Sequence, residues 1–349
     1  MEYSKKDKGS DYSAENKKLK NEGPQRVYLL WGEEDYLVGY FLSNLQKACL
    51  PDGDNGFSSR RFNGPDLDLR EFEKAVAMFP FLSERTFIEV HDVDINKLSD
   101  PDGLIRILSD VQPYCTVVFV QNAAYQPDGR TKFVKYLNSS CSVLHFVRQD
   151  QISLFKWIEK RFAANGKRIS SDAERQLILV SGALMNRLIP EIDKISAYAQ
   201  GELVTSADVN AVADKIPETS AFEMLDLISE KKFESALNVL SEALKNKENN
   251  AIVIISALSY QLRRIYGVQL ALKEGKRAEL KAVLNTKFDF VVDKMAAAAG
   301  RFTSQQLVNA LHDCVLAEYK MKSGDSTDDN ELIKEIIIHM MTKTAYETA

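Results

Sequence analysis

The feature that most constrains the fold is a series of short, continuous apolar runs in the first 150 residues of the chain. They cover residues 27–31, 86–90, 116–120 and 143–147, with a weaker run at 57–62. Segments of helical periodicity, such as residues 35–50, separate them. Continuous apolar runs are typical of parallel strands, which crossover helices bury on both faces. We therefore predict an α/β domain with a parallel sheet over residues 25–148.

From residue 149 onward the pattern is almost entirely helical. Helices are predicted at residues 152–165, 171–180, 183–199 and 206–215. They define a small helical domain over residues 149–216. Longer amphipathic stretches follow and indicate a helical bundle over residues 217–349. One predicted helix face carries Leu307, Ala310, Leu311, Cys314 and Val315.

Length and charge narrow the classes of function. A chain of 349 residues suggests two or three domains, and its net charge of -5 argues against a mainly electrostatic grip on nucleic acid. No apolar run approaches the length of a membrane span, and the amino terminus lacks the apolar core of a signal peptide, which favours a cytoplasmic location. Residues 1–24 are so rich in charged and small polar side chains that we predict a disordered tail.

The most informative local segment is residues 77–85, with the sequence AMFPFLSER, at a predicted helix-to-strand junction. The helix should begin near Asp68, whose spacing to Glu71 suits a capping box. Phe79 continues the apolar stripe of that helix, so the pattern leaves it either in the core or on a binding surface. Phe81 and Leu82 follow a proline and fall off the stripe. We predict that these two form a binding surface, the alternative being burial under a neighbouring loop.

The motifs of nucleotide chemistry are absent from the sequence. The phosphate-binding motif G-x-x-x-x-G-K-[ST] does not occur, and the first apolar run is followed by GEEDYL at residues 32–37. Glu33, Glu34 and Asp35 would repel a phosphate at this place. Neither G-x-G-x-x-G nor G-x-S-x-G occurs. We predict no catalytic site and no cofactor.

Three residues after the predicted third strand raise the question of a metal site. His91, Asp92 and Asp94 could form one, but a solvated turn is the preferred interpretation because no zinc spacing appears. We therefore predict no metal.

Four segments in a fixed order carry a resemblance to a known family. They are VYLLWGEEDYL at residues 27–37, FPFLSER at 79–85, PEIDKISAY at 190–198 and AEYKMKSG at 317–324. Over residues 27–341 the chain resembles the family of delta subunits of the bacterial DNA polymerase III clamp loader. Two departures are Pro190, which falls inside a family helix and should kink that helix or begin it, and Glu318, where many relatives have aspartate.

The resemblance implies an AAA+-like α/β domain without a phosphate loop, a helical lid domain and a carboxy-terminal helical collar domain for oligomerisation. It implies a non-catalytic subunit of a DNA-directed DNA polymerase complex, a nucleotidyltransferase, that acts in DNA replication. Such a subunit binds the sliding clamp (the beta ring) and opens it. The positions that match the clamp-gripping residues of the family are Phe79, Pro80, Phe81 and Leu82.

The resemblance also implies partners. They are the gamma/tau and delta prime subunits, contacted through the collar, and primer-template DNA, reached indirectly within the complex. A basic stretch in the collar region is interpreted as a solvated helix face, with nearby DNA as the alternative; it comprises Arg263, Arg264, Lys273, Lys276, Arg277 and Lys281. Two other functions stay open at this point: an active AAA+ ATPase with an atypical phosphate loop, and a stand-alone DNA-binding module.

Overall fold

The computed structural model describes residues 9–54, 56–64, 67–81, 83–121, 126–246, 249–325 and 328–346. The chain divides into two compact units. The first unit is Met1–Gln149 with Leu184–Asn186, and the second is Asp150–Ala183 with Arg187–Ala349. The main boundary therefore falls one residue after the predicted end of the α/β domain. The further division of the remainder into a lid and a collar stays a prediction.

The first unit alternates helices and strands along the chain. Its elements are α1 (Tyr12–Glu22), β1 (Val27–Trp31), α2 (Asp35–Cys49), β2 (Ser59–Asn63), α3 (Leu69–Ala77), β3 (Thr86–His91), α4 (Pro101–Ser109), β4 (Cys115–Gln121), α5 (Lys132–Ser140) and β5 (Ser142–His145). The predicted strands and helices of this region are all present, with bounds that differ by one or two residues.

The five strands form one parallel sheet in the order β2-β3-β4-β1-β5. The chain moves in one direction from β1 to β2 and in the other from β4 to β5, so right-handed crossovers place α2 and α5 on opposite faces. On one face, the buried Phe72, Leu104 and Phe133 of α3, α4 and α5 pack in one core with β1, β3 and β4. On the other, the ring of Phe41 from α2 lies 6.1 Å from that of Tyr28. Both faces are covered, which explains the continuous apolar runs.

The amino-terminal segment departs from the predicted disordered tail. Residues 12–22 form α1, and the Asp11 carboxylate caps it by accepting hydrogen bonds from two backbone N–H groups. Leu19 is buried, and Asn44 of α2 donates to the hydroxyl of Tyr12 and to the side-chain oxygen of Asn16. The prediction of disorder is therefore wrong for residues 12–22. A mostly polar helix can be ordered by one buried side chain and a few hydrogen bonds to a neighbouring helix. Residues 1–8 lie outside the described range.

The second unit is helical apart from two short strands that pair in parallel. Its elements are α6 (Gln151–Ala164), β6 (Arg168–Ile169), α7 (Ser171–Ser181), α8 (Met185–Tyr198, which begins in the first unit), β7 (Leu203–Val204), α9 (Ser206–Val212), α10 (Pro217–Ser229), α11 (Phe233–Lys245), α12 (Ala251–Lys273), α13 (Leu280–Val283), α14 (Asp289–Ala299), α15 (Ser304–Ser323) and α16 (Asp329–Tyr346).

Two sequence predictions for these helices need correction. Pro190 lies inside α8, so the alternative in which a helix begins at Pro190 is wrong. On α15, Leu307 and Cys314 are buried as predicted, but Val315 is 59% exposed. Residues 314 and 315 are about 100° apart on a helix, which is enough to carry Val315 off the buried face. No helix in the described part of the chain combines the length and apolar character that crossing a membrane requires.

The docking of α1 can be tested with Leu19→Ala. We expect the substitution to lower the free energy of unfolding by about 1 to 3 kcal/mol, because it removes a buried side chain while α1 can detach instead of enclosing a cavity. Denaturant titration measures this change. Lys20→Ala, at an exposed position of the same helix, should have an effect below about 0.5 kcal/mol. Equal effects of the two substitutions would contradict the packing of α1.

Candidate functional site

The carboxyl ends of β1 and β4 mark the place where an α/β sheet usually binds a ligand, because the connections that leave these neighbouring strands run to opposite faces. The backbone of the segment after β1 is hydrogen-bonded to the segment after β5. The Glu34 N–H donates to the Phe146 carbonyl, and the Phe146 N–H donates to the Trp31 carbonyl. Gly32 has a φ of +137°, and a Cβ there would overlap the backbone of Phe146. The backbone amide of Glu34 is therefore engaged by protein.

The acidic side chains of this segment are held in different ways. Glu33 pairs with Arg148 at 2.8 Å, with both side chains about half exposed. Glu34 is fully buried, and its Oε1 accepts a hydrogen bond from the Met185 N–H at 3.2 Å. Its Oε2 has no hydrogen-bond partner among the described residues. Burial raises the pKa of Glu34 to about 7, although the Met185 N–H opposes the shift.

The residues considered for a metal site do not gather around one point. The imidazole Nε2 of His91 lies 2.7 Å from a carboxylate oxygen of Glu89, two residues earlier on the same strand. Asp92 follows with a φ of +55°, as in a tight turn. Within the described residues, no group of three His, Cys, Asp or Glu side chains is arranged to hold a metal ion.

The predicted binding segment lies at the opposite edge of the sheet, where the strands begin. We call residues 78–85 the apolar loop.

The Asp68 side chain caps α3 as predicted, but the Glu71 carboxylate pairs with Lys74 and does not complete a capping box. The helix ends at Ala77, and Met78 adopts an extended conformation. Phe79 precedes a proline, which disfavours the helical conformation at that residue. The helical stripe therefore stops before Phe79.

The two described phenylalanines of the apolar loop face solvent. Phe79 is 73% exposed and Phe81 is 68% exposed, while Pro80 is half-buried. The ring of Phe79 packs edge-on against that of Tyr114, with 5.1 Å between the ring centroids. Core packing of Phe79, which the sequence left open, is therefore wrong. Leu82, the remaining predicted site residue, lies outside the described residues.

Hydrogen bonds of the Ser58 hydroxyl tie the apolar loop to the residue that precedes β2. The Ser58 hydroxyl lies 2.6 Å from the Ser83 hydroxyl and 3.3 Å from the carbonyl oxygen of Phe81. The Ser83 hydroxyl lies 2.8 Å from the Arg85 carbonyl oxygen. Ser58 is buried and directly precedes β2, which pairs with β3. The loop is therefore held at the point where it enters the sheet.

Sequence reasoning missed two aromatic residues at the same edge. The apolar pattern puts Phe57 inside a weak strand, but β2 begins only at Ser59, and Phe57 is 66% exposed. Tyr114 directly precedes β4 and supports Phe79. In a parallel sheet all strands begin at the same edge. An aromatic residue directly before a strand was therefore the sequence signal that could have placed Phe57 and Tyr114 near the apolar loop.

A second apolar surface lies on α15. Val308, Val315 and Tyr319 are exposed and recur at a spacing of seven and four residues, which places them on one helix face. Leu316 is exposed beside them. The basic stretch of the same unit forms no comparable surface, because several of its side chains are engaged locally. Lys273 donates to Ser304, and Lys281 pairs with Asp289.

The parallel sheet, its strand order and the mainly helical remainder define an AAA+-like fold. The solved structure of the Bacillus subtilis DNA clamp loader delta protein matches with a TM-score of 0.61 at 20% sequence identity, covering 95% of this chain and 100% of that chain. The likeness confirms the predicted AAA+-like fold.

Family profiles identify the family. The profile described as DNA polymerase III, delta subunit, matches residues 28–147, and the profile for the carboxy-terminal domain of the DNA polymerase III delta subunit matches residues 218–340. The chain belongs to the DNA polymerase III delta subunit family, and thus to the subunits of a DNA-directed DNA polymerase complex.

Two curated relatives agree with this assignment. The DNA polymerase III subunit delta of Bacillus subtilis (strain 168) is 24% identical over 339 residues, which cover 94% of this chain and 96% of the relative. The probable DNA polymerase III subunit delta of Aquifex aeolicus (strain VF5) is 23% identical over 262 residues, which cover 72% of this chain and 73% of the relative.

The buried carboxyl of Glu34 predicts a pH-dependent stability. Its pKa is about 7 in the folded chain against an ordinary value of 4.5, so ionisation opposes folding. The free energy of unfolding should fall as pH rises from about 4.5 to about 7 and should then level off. Glu34→Gln keeps an oxygen that accepts from the Met185 N–H and removes the titration. The free energy of unfolding of this variant, relative to that of wild type, should therefore rise by about 2 kcal/mol as the pH is raised from 5 to 8.

Denaturant titration at a series of pH values measures this difference. The chain has two tryptophans, so Trp157→Phe leaves Trp31, beside Glu34 in the first unit, as the reporter. Burial also raises the pKa of Glu174 in the second unit to about 7, and that contribution is the same in both proteins. Glu33→Gln, which removes an exposed ion pair, should follow wild type. Parallel pH curves for Glu34→Gln and wild type would contradict the argument.

Proposed function

We propose that this delta subunit binds the sliding clamp (the beta ring) through the apolar loop and opens the ring for loading on primed DNA. The observation that carries the proposal is the pair Phe79 and Phe81, both largely exposed on a loop that is hydrogen-bonded to the sheet. Exposed aromatic side chains on an ordered support are typical of binding hot spots. Pro80 and Leu82 complete the proposed contact segment.

The magnitudes fit a docking role. Burying one phenylalanine side chain contributes roughly 1.5 to 3 kcal/mol, so Phe79 and Phe81 together would contribute about 3 to 6. Association costs at least about 4 kcal/mol in lost translational and rotational freedom. The two rings alone therefore give weak binding, and Leu82 and further contacts must supply the remainder. A ready-made apolar pocket on the clamp would suit them.

Opening of the ring would follow from differential binding. A ligand shifts an equilibrium only by the difference between its affinities for the two states. We expect the subunit to bind the sprung form of the clamp interface more tightly than the closed form. No chemical step of its own is required.

The carboxyl edge of the sheet supports a role without nucleotide. The Glu34 backbone N–H, which a phosphate would need, donates to Phe146, and the neighbouring carboxylates would repel an anion. We infer that the subunit has no catalytic site and that clamp binding needs no nucleotide. Detectable ATP binding by the isolated chain would revive the ATPase alternative.

The exposed face of α15 is the surface we assign to the collar contact. Val308, Val315 and Tyr319 offer an apolar stripe of the kind that packs against another helix. We infer that the gamma/tau and delta prime subunits are the partners. Primer-template DNA would then be reached indirectly within the complex, in the cytoplasm.

Single substitutions in the apolar loop test the clamp contact. Phe79→Ala and Phe81→Ala should each weaken binding to the sliding clamp of the same genome by about 10- to 100-fold, because each removes one aromatic side chain from the contact. Surface plasmon resonance without nucleotide measures the affinity, and Leu82→Ala belongs in the same series.

Ile152→Ala is the matched control for these variants. Ile152 is 68% exposed and lies in the second unit, outside the proposed contact, so this variant should bind the clamp as wild type does. The proposal fails if wild type does not bind without nucleotide, or if the phenylalanine variants bind unchanged.

A charged residue on α15 tests the collar contact. Val315→Lys places a cation in the apolar stripe and should reduce co-elution with the gamma/tau and delta prime subunits by at least 10-fold, with clamp binding unchanged. Leu203→Lys, at a 49% exposed position in β7, is the control and should assemble normally. Normal assembly of Val315→Lys would show that this face is not the contact.

A further inference from the structure

Ser58 is the residue that joins the apolar loop to the sheet. It is 1% exposed, although it directly precedes the edge strand β2. Its backbone carbonyl accepts a hydrogen bond from the Phe87 N–H of β3 at 2.8 Å, and its hydroxyl faces both the Phe81 carbonyl and the Ser83 hydroxyl. The backbone contact belongs to the sheet, so the hydroxyl contacts concern only the loop.

The hydroxyl contacts are not equivalent. Ser58 and Ser83 together supply two hydroxyl protons, whereas three contacts share them: Ser58 to Phe81, Ser58 to Ser83 and Ser83 to Arg85. Removing the Ser83 hydroxyl leaves Ser58 able to donate to the Phe81 carbonyl. Removing the Ser58 hydroxyl breaks its contacts with the Phe81 carbonyl and the Ser83 hydroxyl. Ser58 is therefore the member of the pair on which Phe81 depends.

Phe57 is fixed by the backbone of Ser58, which the Phe87 N–H holds to β3. It is the residue immediately before Ser58, and the hydrogen bond from Ser58 brings the Phe81 backbone next to this part of the chain. Both phenylalanines are about two-thirds exposed. Phe79 is supported differently, by the ring of Tyr114. The edge thus presents three largely exposed aromatic side chains. The Ser58 backbone fixes Phe57, the Ser58 hydroxyl fixes Phe81, and the ring of Tyr114 supports Phe79.

We propose that Ser58 is a positioning residue for Phe81 in clamp binding and that Phe57 is a third contact residue on the same surface. The inference rests on the proposed clamp-binding function, since the clamp is the occupant to which this edge is assigned. A loop held in place loses less conformational freedom on binding, so an anchor raises affinity without touching the partner. The proposed surface extends from Phe79 and Phe81 to Phe57, just before β2.

A double-mutant cycle separates positioning from a general structural effect. Ser58→Ala should weaken clamp binding by about 3- to 10-fold, the equivalent of one or two hydrogen bonds. In a Phe81→Ala background the same substitution should have almost no effect, because the side chain that it positions is gone. In a Phe79→Ala background its effect should be undiminished. Equal effects in all three backgrounds would overturn the positioning role.

One further variant and one further measurement sharpen the test. Ser83→Ala is the matched control at the other end of the 2.6 Å contact and should weaken clamp binding less than Ser58→Ala does. Cleavage by chymotrypsin after Phe81, measured without the clamp, should be faster in Ser58→Ala than in wild type, because the Ser58 hydroxyl holds the backbone at Phe81. An unchanged cleavage rate after Phe81 would contradict the anchor directly.

Phe57→Ala tests the third contact and should weaken clamp binding by at least 3-fold, whereas unchanged affinity would remove Phe57 from the surface. The two proposals fail in different ways. If Phe81→Ala leaves affinity unchanged, the clamp-binding function itself is wrong. If Phe81→Ala weakens binding while Ser58→Ala and Phe57→Ala do not, only the present inference is wrong.

Discussion

The parallel pairing of β2, β3 and β4 is the constraint on which the proposed surface depends. Ser59 pairs with Phe87, and Thr86 pairs with Cys115, so the three strands begin at nearly the same level. The residues just before them are therefore neighbours in space although they are far apart in sequence. A slip of this register would separate Phe57 from the apolar loop and Phe79 from Tyr114.

The same parallel arrangement gives the two edges of the sheet different chemistry. At the carboxyl edge, the backbone N–H of Glu34, which could bind a phosphate, donates to the Phe146 carbonyl, and the carboxyl of the same residue is buried. Ionisation of that buried carboxyl is costly, so its charge does not stabilise the folded state. The carboxyl instead fills space and accepts a hydrogen bond from the Met185 N–H. The amino-terminal edge instead exposes rings on an ordered support. The sheet has an AAA+-like topology, and the exposed aromatic rings of Phe79 and Phe81 lie at its amino-terminal edge.

The sequence predicted the strands well because burial on both faces leaves a continuous apolar run, as in β1 and β4. Prediction from the sequence failed where a few tertiary contacts determine whether a segment is ordered and which residues are its neighbours. Leu19 and Tyr12 order α1 despite a polar composition. The spatial neighbours of Phe57 could not be predicted, because they depend on which strands pair in the sheet. Strand order is not encoded in local periodicity.

The position at which α3 ends decides how the apolar loop is displayed. If α3 continued to Phe79, that ring would follow Phe72 and Val76 into the core, which is what the spacing suggests. The proline after Phe79 disfavours this, and the helix already ends at Ala77. The chain instead leaves α3 through Met78 in an extended conformation, and the rings of Phe79 and Phe81 face solvent. Because the Ser58 hydroxyl holds the backbone of the loop at Phe81, less conformational freedom is lost on binding, and more of the burial energy would remain for the partner.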